Sequence, residues 1–162
     1  MPLSFAILLD GGFVRRKLGT ARQPVDAAGI SAFTARVSAL PCVAALRLHR
    51  IYFYDARPLE GVAPIPLGGG EIDFGAHPVA TRNRSLQSQL VREPFFALRF
   101  GELFLEGWRL KSRILGRPGP TVEISSAAIE PNVRQKGVDM RIGLDIASLT
   151  LKKQVQVIVL VT

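Results

Sequence analysis

The sequence predicts an α/β protein, a three-layer α/β/α sandwich around a mainly parallel sheet, and three observations carry that prediction. Short apolar runs at 5–9, 48–54 and 155–161 suit strands buried on both faces. Segments with helical apolar spacing, at 30–40, 79–98 and 138–149, separate those runs. The first two runs end on aspartates, Asp10 and Asp55, which puts carboxylates at the edge where open α/β sheets bind ligands.

Composition narrows the class. A chain of 162 residues, 48% hydrophobic and 21% charged, is long enough for one cored domain, 1–162, and is neither disordered nor fibrous. No apolar run approaches the roughly 18 residues that span a bilayer, and the start lacks the basic and small-residue signals of export. A cytoplasmic protein with no membrane partner is expected. The only cysteine, Cys42, excludes an internal disulfide and a Cys-based zinc site, and His49 and His77 lack metal-ligand spacing. The net charge of +8 favours polyanions, nucleic acid first.

The first strand runs into Asp10-Gly11-Gly12, where the glycines permit a sharp turn. Asp10 is a functional candidate at the sheet edge or a turn aspartate bonding the next backbone amides. A short helix follows with Arg15, Arg16 and Lys17, placed either to meet phosphate at the strand's end or as a solvated face. Residues 19–24 read as a loop, Asp26 as a helix entry, and Ile30, Phe33, Val37 and Leu40 as an amphipathic helix stopped by Pro41. The strand 48–54 is expected to lie parallel to the first through a right-handed crossover, with Asp55 capping the loop or lining the site.

Residues 59–78 show neither period and read as a loop or lid, whose Gly68-Gly69-Gly70 lacks the Lys and Ser/Thr of a triphosphate-binding loop. A helix is expected from Val79 to about Leu98, kinked or ended by Pro94. Trp108, Leu110, Ser112 and Ile114 then alternate with Arg109, Lys111 and Arg113, the period of a strand with one packed and one basic face. With a turn at 117–120 and a return through 121–125, this predicts a hairpin insertion over 103–126. Its basic face would follow a phosphate backbone, and Trp108 is either core or a stacking platform.

A last helix is predicted from near Gly137 to about Lys153, carrying Val138, Ile142, Ile146 and Leu149 inward, followed by the strand 154–161. For that strand to run parallel to the first, the helix must start at the carboxyl edge, which brings Asp139 towards Asp10. Asp145 lies six residues on, about 9 Å further at 1.5 Å per residue.

The runs Ile7-Leu8-Leu9-Asp10-Gly11-Gly12-Phe13, Ile51-Tyr52-Phe53-Tyr54-Asp55-Ala56 and Gln135-Lys136-Gly137-Val138-Asp139, continuing to Asp145, resemble the NYN domain family, a PIN-like nuclease group. The resemblance covers most of the chain. It implies a Mg²⁺- or Mn²⁺-dependent ribonuclease whose pocket holds Asp10 and Asp139 as metal ligands, with Lys136 contacting phosphate and Asp145 assisting. The implied partner is RNA, and the charge of +8 with the placement of Arg15, Arg16, Arg109, Lys111 and Arg113 makes these five the expected RNA-binding residues. The alternative is an RNA-binding or interaction module that does not cleave. Phe13 stands where many members carry Asn, and the chain ends at Val161-Thr162 where the family continues into Gly-Asp-Ser-Asp-Phe. A C-terminally truncated domain with an impaired site is therefore expected, together with self-association through an unpaired strand edge.

Overall fold

The computed structural model describes residues 3–115 and 121–162. The first strand, β1 (Ser4–Asp10), is buried from Ser4 to Leu9 because both of its faces are covered. Phe5, Ile7 and Leu9 pack against helices α1 (Gly11–Leu18) and α2 (Ala27–Ser38), while Ala6 and Leu8 pack on the opposite side of the sheet. Strand β2 (Arg47–Ala56) lies parallel to β1, pairing Asp10 with Tyr54. Its Ile51 and Phe53 join the first core, and its Tyr52 and Tyr54 join the second. The uniform apolar run of β1 is thus the consequence of two helical layers.

After β2 come two three-residue strands, β3 (Val62–Pro64) and β4 (Glu71–Asp73), paired antiparallel. The segment 59–78, read from the sequence as a loop or lid, carries this small hairpin, and Gly68 and Gly70 take φ of 69° and 78° between its strands. Helix α3 (Pro78–Leu90) follows, with Leu86 and Leu90 in the first core. It stops earlier than the predicted Leu98. Pro94 lacks an amide hydrogen and disfavours helix in the residue before it, so the chain turns and enters β5 (Phe96–Leu110).

β5 is one 15-residue strand with two partners. Its first half, Phe96 to Gly101, pairs parallel with β2; its second half pairs antiparallel with the later β6 (Ile129–Lys136), across a register shift between Leu105 and Trp108. The predicted hairpin over 103–126 therefore exists in a different form, with 129–136 and not 121–125 as the returning strand. The predicted turn at 117–120 lies outside the described residues. Strand pairing ends at Leu110, where the predicted alternation fails. A single helical turn, α4 (Ser112–Leu115), buries Ile114 in place of a continued strand. Trp108 is half-buried on β5.

Helix α5 (Val138–Leu151) covers the second face through Val138, Ile142 and Leu149, and β7 (Val157–Val161) completes the sheet beside β1. Among the described residues the strand order is β6-β5-β2-β1-β7, parallel except for β6, with β6 and β7 at the edges. No helix among the described residues is long and apolar enough to cross a membrane.

Candidate nucleic-acid interface

α1 starts directly at the end of β1. A Cβ on Gly11 would lie 2.6 Å from the Tyr54 carbonyl oxygen, so glycine is required there for close approach to β2. Asp10 caps the helix: its Oδ1 accepts the Phe13 backbone N–H at 3.0 Å. Of the two roles open to Asp10 in the sequence, this geometry accounts for the backbone one.

One turn along, Arg15 donates both terminal nitrogens to Asp55, Nη1 to Oδ2 at 2.6 Å and Nη2 to Oδ1 at 2.8 Å. Gln87 on α3 donates to the same carboxylate at 2.8 Å and to the Ala56 carbonyl at 2.9 Å. Asp55 is only 2% exposed, whereas Arg15 is 26% exposed. The loop-capping role expected for Asp55 is corrected: it is a buried anchor that ties α1 and α3 to the carboxyl end of β2. A bidentate carboxylate fixes the plane of the Arg15 guanidinium, leaving its Nε and outer hydrogens for other acceptors.

Arg15 and Arg16 of α1 and Arg82 of α3 border a cleft of about 520 Å³, together with Thr20, Asn83 and Gln135. No described carboxylate lines it. Arg15 is neutralised by Asp55, and Arg16 and Arg82 make no ion pair among the described residues; Asp10 Oδ1 approaches the same side of Gly12 as Arg16 Nη1, so three arginines set against two nearby carboxylates leave the cleft net positive. Guanidinium groups facing one space suit oxyanions, above all phosphate.

No family model, curated protein or solved structure matches the chain. The assignment of the cleft therefore stands on its geometry and on the residues that build it.

The other predicted residues lie on or beside β5, β6, α4 and α5. Asp139 is exposed in the first turn of α5 and makes no hydrogen bond or ion pair among the described residues. Asp145 is engaged on the second face: its Oδ2 accepts from the Tyr54 hydroxyl at 2.9 Å and from Arg99 Nε at 3.0 Å. Lys136, at the end of β6, lies 3.6 Å from Glu106 and over the Phe104 ring. Arg109 pairs with Glu130 at 2.8 Å, and Lys111 donates to the Ala127 carbonyl at 2.8 Å. Arg113 sits on α4, so these three basic residues do not share the strand face expected of them.

Among the described residues no three His, Cys, Asp or Glu side chains gather closely enough to hold a metal ion. Asp10 spends one oxygen on its helix cap and Asp145 is committed to Tyr54 and Arg99. Asp139 and the second oxygen of Asp10 make no hydrogen bond among the described residues, and Mg²⁺ held by one or two carboxylates beside a substrate phosphate needs no cluster of three.

Sequence reasoning missed Arg82, Asn83 and Gln135. A signal for Arg82 was present. It precedes the buried Leu86 by four residues on α3, which puts both on one helix face, pointing towards the layer that carries Arg15.

Proposed function

We propose that this chain is an RNA-binding domain of the NYN, PIN-like type, holding the phosphate backbone of a single strand in the cleft between α1 and α3. The observation that carries this reading is the grouping of Arg15, Arg16 and Arg82 around one cavity without a lining carboxylate. Each residue has its own part. Arg15, clamped by Asp55, offers a rigid donor plane; Arg16 and Arg82 supply the excess charge; Thr20 and Gln135 supply neutral donors at the rim. The net charge of +8 raises the encounter rate with a polyanion.

Metal-dependent ribonuclease is the second reading, favoured by Asp10 at the end of β1 and Asp139 at the start of α5, where the family resemblance expects its ligands.

Fluorescence anisotropy with a labelled single-stranded RNA tests the first reading. Arg16→Ala and Arg82→Ala should each weaken binding, and affinity unchanged by both would overturn the assignment of the cleft. Incubating the same RNA with Mg²⁺ or Mn²⁺, with and without chelator, tests the second. Asn caps helices as well as Asp, so Asp10→Asn removes charge while keeping α1 in place. Chelator-sensitive cleavage that is lost in both Asp10→Asn and Asp139→Asn establishes hydrolysis; its absence leaves a binding domain.

A further inference from the structure

Beside the arginine cleft lies a cavity of opposite character, about 290 Å³, between the β3–β4 hairpin, α3 and the β5–β6 pair. Ile72 and Phe74 wall it from the hairpin side, and Leu103 and Val133 wall it from the sheet. Val79 and Asn83 line this cavity and the arginine cleft alike, so the two spaces share one wall. Asn83 is half-buried, and its side-chain amide makes no hydrogen bond among the described residues. His77 stands at the same cavity with its ring anchored, Nδ1 accepting the Val79 backbone N–H at 3.3 Å as the cap of α3.

An apolar space with two aromatic planes and one free amide, sharing a wall with a phosphate site, matches a nucleobase. A base has apolar π faces and a polar edge, and in single strands it is stacked on aromatic side chains while its edge is read by hydrogen bonds. The geometry points to this cavity as a pocket for one unstacked base of the strand whose phosphates occupy the arginine cleft. Phe74 and His77 provide the stacking faces. Asn83, with one acceptor and two donor hydrogens, meets the base edge. This inference rests on the RNA-binding reading and narrows its substrate: the strand must have a base free to leave its stack, which a continuous duplex does not offer.

The test compares a single-stranded RNA with a ribose–phosphate strand of equal length and charge that lacks bases. The intact protein should bind the base-containing strand more tightly by about tenfold, the order expected of one stacked base. Phe74→Ala should erase most of that preference while binding of the base-free strand stays unchanged. Because Phe74→Ala could loosen the hairpin, a second measurement uses the unaltered protein: adenosine, which has no phosphate, should shift the methyl resonances of Ile72 and Val133. Equal affinity for the two strands overturns the base pocket and leaves the cleft standing. Unmoved methyl resonances also overturn it. If neither strand binds, the RNA-binding reading fails and the pocket falls with it.

Discussion

Asp55, Arg15 and Gln87 form the most consequential contact in the protein, since three elements meet on one buried carboxylate. Breaking such a pair costs about 3–5 kcal/mol, chiefly for the charge left behind. The two partners are not equivalent. Asp55→Asn strands an arginine that still reaches water, whereas Arg15→Ala strands a carboxylate that is 2% exposed. Urea unfolding should therefore rank Arg15→Ala as the more destabilising, with Asp55→Asn near the lower end of that range and m unchanged in both. The reverse order would mean that Gln87 alone satisfies Asp55. On the other face, burial first and the neighbouring Asp145 carboxylate second push the Tyr54 phenol well above its ordinary value. The folded state then keeps a proton that the unfolded chain releases near its ordinary value of about 10. This contribution to stability is full below that pH and is lost as pH rises beyond it. Tyr54→Phe should cost about 1–2 kcal/mol at neutral pH and flatten the alkaline limb of the stability–pH curve. An alkaline limb of unchanged slope would assign it to other groups.

The elements were legible where burial is symmetric and local signals agree. β1, β2 and α5 follow from unbroken apolar runs and from the stripe Val138, Ile142 and Leu149, because covering helices demand those patterns. β5 was not legible as one strand, since its two halves have different partners and a register shift between them. The basic alternation at 109–113 misled because strand and helical turn compete locally, and burial of Ile114 decides it. At the site, Asp10 and Arg15 were readable as candidates, but Arg15's tie to Asp55 spans 40 residues and leaves no local trace. The β6–α5 junction, against which Gly101 of β5 packs, makes a sharper prediction. Gly137 has φ 84° and an open surround, so Gly137→Ala should cost about 1–2 kcal/mol of backbone strain. Gly101 has an ordinary backbone, yet a Cβ there would collide with the Lys136 carbonyl oxygen and crowd Val138. Gly101→Ala should destabilise more than Gly137→Ala in thermal unfolding, and equal losses would show that the junction relaxes freely.

Across the whole molecule, the net charge of +8 does not say which surface meets an anion, because several of its basic groups already have partners within the protein. Arg109 and Lys111 are engaged by Glu130 and the Ala127 carbonyl on the hairpin, while Arg16 and Arg82 make no ion pair among the described residues around the cleft. Each phosphate contact with a single strand contributes about 0.7 to the slope of log affinity against log salt. Arg16→Ala with Arg82→Ala should therefore lower the magnitude of that slope by about 1.4. Arg109→Gln with Lys111→Gln removes the same formal charge, so it serves as the control for a general field effect. Its slope should stay at the unaltered value, because Arg109 is already paired with Glu130, Lys111 is held to the Ala127 carbonyl, and neither lines the cleft. Titrating labelled single-stranded RNA at several salt concentrations reads both slopes in one experiment. Equal flattening by the two double variants would mean that RNA is held by overall charge, and a larger effect from Arg109 and Lys111 would move the footprint from the cleft to the β5–β6 hairpin.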